Sequence, residues 1–298
     1  MSNFSYQVFS EVVAKGSFAK AAQSLNVTPS AVSHSINQLE NEMGFPLLIR
    51  NRTGAELTAD GKTLLPVIRS ILNLEDQLLQ VASNINGSNS GQVRIGAFSS
   101  VSTNWLPKII QKFKEKYPQV EVTVVQGGFN QIVEQIKQGQ VDLGFSSLPI
   151  EEGVVVEPLI RDQIYCVTPR DFTPHNKKSI TDTDVAKQNF VLQQVDYDRD
   201  TKRALDRYHV SGNSISYSID DPSILAMVES GLGLGILPDL ALTRMGGEVN
   251  IYPFEEPYYR TLCLVVNPIT QKSPSVARMK QTIEDYLAEV YQDRYLGD

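Results

Sequence analysis

Residues 17–61 read SFAKAAQSLNVTPSAVSHSINQLENEMGFPLLIRNRTGAELTADG, and this stretch decides the N-terminal fold. Phe18, Ala21, Ala22 and Leu25 recur at helical spacing behind Ser17, a natural N-cap. A three-residue turn, Asn26-Val27-Thr28, leads into Pro29; Thr28 at the cap and Pro29 at the first helical position start a second helix. That helix runs to about Glu40, with Val32, Ile36 and Leu39 on one side. At about 100° per residue, Ser30, Ser33, His34 and Asn37 share the opposite side. This face is polar and free of acids, which collect at its far end as Glu40 and Glu42. Two short helices on a tight turn, the second showing uncharged hydrogen-bonding groups, form the helix-turn-helix pattern. Leu47-Leu48-Ile49 and Glu56-Leu57-Thr58 flank Asn51-Arg52-Thr53-Gly54 and predict a two-strand wing with arginines beside its turn. Upstream, Phe9, Val12 and Val13 give a further helical stripe closed by Gly16.

From Thr63 to Ile85 a longer helix is expected. Leu64, Ile68, Ile71, Leu78, Ala82 and Ile85 follow heptad spacing, interrupted by Glu75 and widened by Leu65, Leu72 and Leu79. Pro66 predicts a bend in its first turn. Asn86-Gly87-Ser88-Asn89-Ser90-Gly91 has the composition of a flexible linker. Beyond it strands and helices alternate: Val93–Gly96, a helix to Lys116, Val120–Gln126, a helix over Gln131–Gln138, and Val141–Phe145. That order predicts a parallel sheet covered on both faces. A second α/β unit follows, with strands near Ile164–Val167, Phe190–Leu192, Ile215–Ser218 and Leu234–Leu237. Arg260–Val266 is a further strand and Ser275–Tyr291 a closing amphipathic helix.

Composition bounds the function. The chain has 298 residues, 41% hydrophobic and 20% charged, which fits two or three globular units and no disordered or collagen-like class. No stretch approaches the ~20 apolar residues of a membrane span, and Met1–Ser10 lacks a secretory leader pattern. Net charge is −7, but residues 1–90 hold six basic and seven acidic side chains, so the acidity lies mainly beyond residue 90. Charge therefore neither supports nor excludes DNA binding. Cys166 and Cys263 fall in strand patterns and read as buried thiols; His34, His175 and His209 lack metal spacing. Asp196, Asp198 and Asp200 imitate a calcium loop that then fails, with Thr201 where glycine and Arg207 where glutamate is needed. Gly231, Gly233 and Gly235 follow a helix and enter a strand, the reverse of a dinucleotide loop. No nucleophile elbow or phosphate loop is present, so no catalytic residue, cofactor or metal is assigned.

The forty-residue register A-A…L…S-A-V-S…I…L-E…G…L-L…R…L-T…G resembles the N-terminal domain of LysR-type transcriptional regulators. The match is close from Phe4 to about Ala82, and the remainder is similar to the family's effector domain. The resemblance implies an α/β protein with a winged helix-turn-helix at 1–60, a linker and dimerisation helix at 61–88, and a two-subdomain, periplasmic-binding-protein-like effector domain at 89–298. Its subdomains are expected at 91–162 plus 267–298 and at 163–266. It further implies a bacterial, cytoplasmic, non-enzymatic regulator that pairs through the linker helix and assembles as a tetramer. The partners so implied are double-stranded DNA with a dyad-symmetric site, a small-molecule effector, further copies of the chain and RNA polymerase, with no membrane.

Read by role, Ser30, Ser33, His34 and Asn37 would reach base edges, with Thr28 and Pro29 beside backbone phosphates. Arg50 and Arg52, with Thr58, are phosphate or minor-groove candidates. The family often carries arginine where this chain has His34. Ser99, Ser100, Ser102 and Thr103 put four hydroxyls between a strand and its helix, a setting that favours an anion. Gln126, Phe129, Ser146 and Ser147 are expected at the same carboxyl edge, with Tyr197 and Thr201 on the other lip. Acids of the second subdomain (Asp196, Asp198, Asp200, Asp220, Asp221) favour instead a cationic or zwitterionic ligand, and both alternatives stay open. The family's peroxide-sensing members use two cysteines in the region near 195–210, where this chain has none. Two rivals remain: a solute-binding protein whose N-terminal domain serves assembly, and an α/β enzyme.

Overall fold

A computed structural model describes residues 3–51, 54–87, 89–185, 188–193, 203–204, 206–208, 215–217, 221–244 and 246–297. Three helices open the chain: α1 (Asn3–Lys15), α2 (Phe18–Ser24) and α3 (Pro29–Met43). Each boundary has a local cause. Gly16 adopts φ +62° after α1, the Ser17 hydroxyl caps α2, and Thr28 Oγ1 accepts the Ala31 N–H at the head of α3. Gly44 ends α3 in the left-handed conformation. Phe9, Val12, Ala21, Val32, Ile36, Leu39 and Leu47 close the core of this domain.

Strands β1 (Leu48–Asn51) and β2 (Gly54–Leu57) form the expected antiparallel hairpin. It is locked to the helices by backbone rather than by side-chain bulk. The Glu40 carboxylate accepts both the Leu47 and Leu48 N–H groups (2.7 and 3.0 Å), and the Ala55 N–H bonds the Gly16 carbonyl. A Cβ on Gly54 would lie 2.1 Å from that same carbonyl oxygen, so the close approach requires glycine.

Helix α4 (Ala59–Ile85) is unbroken for 27 residues and does not end at Pro66. Its apolar register differs from the expected one. Leu65 and Ile68 are buried, but so are the polar Arg69, Asn73 and Gln80, which face the chain's own C-terminal domain. The uncovered stripe is Val67, Ile71, Leu74, Leu78, Val81 and Ile85, between 38 and 81% exposed. The segment after it is tied rather than loose. The Ser90 N–H bonds the Ser83 hydroxyl, Gln80 bridges Gln92 and Ser275, and Arg278 reaches Asn84 and Asn89.

The C-terminal domain contains β3 (Gly91–Ala97), α5 (Ser99–Asn104), α6 (Leu106–Lys116), β4 (Val120–Gln126), α7 (Phe129–Lys137), β5 (Leu143–Ser147), β6 (Val155–Pro169), α8 (Asp182–Val185), β7 (Phe190–Gln193), β8 (Ile215–Tyr217), α9 (Asp221–Glu229), β9 (Leu234–Pro238), α10 (Asp239–Leu242), β10 (Val249–Val266) and α11 (Pro274–Tyr291). Its strands order as β4-β3-β5-β10-β6-β9-β7-β8. The sheet is mixed, not parallel throughout: β10 runs antiparallel to β5 and β6, and β6 antiparallel to β9. β6 and β10 are 15 and 18 residues long and run side by side through both subdomains. Leu262–Val266 pair with β5 and pack in the first subdomain's core. The crossing on β10 therefore falls near Arg260, ahead of the expected 266/267 boundary, whereas the crossing on β6 falls at Asp162 opposite it.

Candidate nucleic-acid interface and ligand cleft

On α3, Ser30, His34 and Asn37 are exposed and Ser33 half-buried, all on the side away from Val32, Ile36 and Leu39. Thr28 and Pro29 are exposed at the helix entrance, where the Thr28 and Ser30 hydroxyls lie 2.9 Å apart. Arg50 reaches across from the hairpin. Its Nη2 donates to Asn37 Oδ1 (2.8 Å) and its guanidinium stacks 4.4 Å over the Phe18 ring. Hairpin and helix thus present one polar surface with a fixed cation at its border. Thr58 contributes differently from expectation: its hydroxyl donates to the Pro46 carbonyl and accepts the Gly61 N–H, so it caps α4 and joins the hairpin to it. Arg52 lies outside the described residues, as do Tyr197 and Thr201.

The second site lies between the subdomains. A cavity of about 290 Å³ opens between α5 and the α9–α10 region. Ser99, Ser100 and Thr103 line one wall; Leu225, Ala226 and Arg244 line the other. Asn104 bridges the walls by donating to the Ser100 and Leu240 carbonyls, which leaves its buried Oδ1 unpartnered. The remaining expected residues do not converge here. The Ser102 hydroxyl is buried without a partner and outside the cavity lining. Ser146 and Ser147 donate to the Phe129 and Thr261 carbonyls, Phe129 packs on Phe98 at 4.6 Å, and Gln126 is exposed.

Beneath both groups sits Arg260. It is 4% exposed and bonded to Asp162 through Nε (2.8 Å) and Nη2 (2.7 Å). Its guanidinium lies 5.3 and 5.9 Å from the Phe98 and Phe129 rings, and its Nη2 is 3.4 Å from the Ser100 hydroxyl. Asp162 Oδ1 accepts the Leu240 N–H, which seats the second wall. Burial holds the Asp162 carboxyl above the usual carboxylate range, against the opposing pull of Arg260. The far wall, with Leu225, Ala226 and Arg244, was absent from the sequence reading. Only folding brings residues 99–104 and 222–246 together, and neither segment carries a motif that announces it.

Family models match both parts of the chain: the bacterial regulatory helix-turn-helix protein of the lysR family over residues 5–62, and the LysR substrate binding domain over residues 86–288. The chain belongs to the LysR family of transcriptional regulators. An uncharacterized HTH-type transcriptional regulator, YvbU of Bacillus subtilis, is 32% identical over 80% of this chain and 82% of its own. The probable HTH-type regulator LrrA of Synechococcus elongatus is 28% identical over 95% and 97%. Among solved structures, a full-length OxyR variant from Pseudomonas aeruginosa superposes with a TM-score of 0.75 at 19% identity, covering 95% of this chain and 94% of that one. Full-length CbnR complexed with its target DNA gives 0.64 at 18% identity, over 96% and 99%. These likenesses show one shared fold, a helix-turn-helix domain joined to a periplasmic-binding-protein-like domain.

Like other LysR-family proteins, the chain is a DNA-binding regulator with an effector-binding domain, not an enzyme. Its two thiols suit a structural role. Cys166 and Cys263 are both buried, and burial raises the thiol pKa of each, that of Cys263 to about 12, so neither carries the thiolate a redox switch needs. No helix among the described residues is long and apolar enough to cross a membrane.

Removing one half of the buried ion pair tests its weight. Asp162→Ala strands Arg260 and is expected to cost about 3–5 kcal/mol of stability in denaturant unfolding. A loss below about 1 kcal/mol would show that the pair does not hold the hinge.

Proposed function

We propose that this LysR-family regulator reads a dyad-symmetric DNA site as a dimer, through the exposed face of α3, with the β1–β2 hairpin as a wing and a small polar or anionic effector in the interdomain cleft. The observation that supports it best is the Arg50–Asn37 bond, which fixes a phosphate-reaching cation at the border of an acid-free helix face. In this reading Ser30, Ser33, His34 and Asn37 meet base edges in the major groove, while Thr28, Pro29 and Arg50 meet the backbone. Histidine at 34 offers one ring donor and one acceptor in its neutral form and sets the base preference through that pair.

The uncovered stripe on α4 supports the dimer. Val67, Ile71, Leu74, Leu78, Val81 and Ile85 alternate steps of four and three, the spacing of a two-stranded coiled coil, and all six stand exposed among the described residues. Pairing places two α3 helices on one face of the DNA. Further assembly into a tetramer, a cytoplasmic setting and contact with RNA polymerase belong to the same proposal. For the effector, Ser99, Ser100 and Thr103 offer hydroxyls, Arg244 a cation and Asn104 Oδ1 an acceptor, which suits a small ligand carrying an anionic group. The ligand acts by binding one arrangement of the assembly more tightly than another.

Three measurements check this. Arg50→Ala is expected to weaken DNA binding evenly across sequences and to lower the salt slope, log Kd against log salt, by about 1; an unchanged slope removes Arg50 from the interface. Leu74→Lys with Leu78→Lys is expected to give monomers in sedimentation equilibrium where the native chain dimerises, whereas an unaltered mass would place the dimer contact elsewhere. For a metabolite whose stabilising effect in thermal unfolding persists in Arg69→Gln and is lost in Arg244→Ala, and which is thereby assigned to the cleft, Ser100→Ala should weaken binding about tenfold, with Ser102→Ala near neutral. The reverse ranking would move the site to the other side of α5.

A further inference from the structure

A second cavity, of about 320 Å³, lies where the helix-turn-helix domain, α4 and the effector domain meet. Ser10 and Ala14 of α1 form one wall, Arg69 and Asn73 of α4 a second, and Arg94 and Gln135 of the effector domain a third. It shares no lining residue with the cleft beside Ser100.

The two arginines that line this cavity are unequally paired. Arg94 is paired with a carboxylate: Nε and Nη2 bond the two Asp142 carboxylate oxygens at 3.0 and 2.6 Å, and Nη2 also reaches Asn73 Oδ1. Arg69 is only 4% exposed, yet no carboxylate pairs with it among the described residues. Its partners are neutral: Gln138 Oε1 at 3.4 Å, and the Gln140 amide oxygen, which in the orientation that satisfies both of its ends accepts at 2.5 and 3.0 Å. Burial and the like charge of Arg94 draw the Arg69 guanidinium down to about 10. Asp76 does not supply the missing charge to it; that carboxylate accepts from Gln80. Across the cavity, Gln135 Oε1 is buried with no donor. A buried cation with only neutral partners and a buried acceptor with none are both costly, and both belong to residues that line the same cavity.

We propose that this seam is a second ligand site, for a small hydroxycarboxylate whose carboxylate pairs with Arg69 and whose hydroxyl donates to Gln135 Oε1. The volume is at the small end of the usual range for ligand pockets, and a guanidinium takes a carboxylate in two parallel bonds. Because the walls come from three units, an occupant favours the arrangement in which α1 is docked on the effector domain. Its binding and DNA binding are then coupled, each altering the other by the same factor.

The test is thermal unfolding of the full-length protein with glycolate, L-lactate and L-malate at matched ionic strength, followed by DNA titration. At least one of the three is expected to raise the melting temperature saturably, by about 5 °C near a hundredfold excess over its dissociation constant. That acid should also shift the DNA dissociation constant at least threefold. Arg69→Gln is expected to abolish both effects and Ser100→Ala to leave both intact. Arg69→Gln should itself melt at or above the native chain in buffer free of these acids, since it removes an uncompensated buried charge. No shift with any of the three acids, an equal shift in Arg69→Gln, a shift lost in Ser100→Ala, or an Arg69→Gln protein less stable than the native one would each overturn the proposal.

Discussion

Where the two long strands pass from one subdomain to the other, Arg260 faces Asp162, and the cleft takes its shape from that pair. The guanidinium, 4% exposed between the Phe98 and Phe129 rings, has its burial offset by the carboxylate against it. The carboxylate in turn seats the Leu240 N–H, and Leu240 offers its carbonyl to Asn104 on the opposite wall. One ion pair thus reaches both walls and the Ser100 hydroxyl. A ligand at the proposed cleft site would meet a pair whose charges are already matched.

The N-terminal domain follows the same economy with backbone donors. Glu40 lies at the end of the polar α3 face, and its carboxylate takes two successive hairpin N–H groups. An acid that would repel phosphate if it pointed outward is turned inward and fixes the hairpin. Arg50 on that hairpin then lies over Phe18 and against Asn37. The exposed α3 face and the hairpin are thereby joined by direct contacts, and in the proposed dimer their orientation relative to a second copy would depend on α4.

How much of this the sequence disclosed depended on the range of the interactions. The first three helices were legible because their determinants are local: Ser17, Thr28 and Pro29 start helices, Gly16 and Gly44 stop them, and the apolar spacing lies between. The strands β6 and β10 were not legible at full length. Pro158 and Pro253 interrupt their patterns, and the pairing that makes them strands joins residues about a hundred positions apart, as with Asp162 and Arg260. On α4, apolar residues occur nearly all round, so periodicity had no means of choosing the covered face. The structure buries Arg69, Asn73 and Gln80 there, the reverse of an amphipathic reading, because partners from distant segments satisfy them. The Asn86–Gly91 segment has a tether's composition, yet Ser83 holds Ser90 and Arg278 holds Asn89.

The proposed dimer presents two α3 faces together on a paired α4. Its most direct test is selection of bound sequences from a random DNA library by the full-length protein. Two inverted half-sites with centres a whole number of helical turns apart, in multiples of about 10–10.5 base pairs, are the predicted result. Enrichment of a single unrepeated half-site, or of no sequence at all, would contradict it.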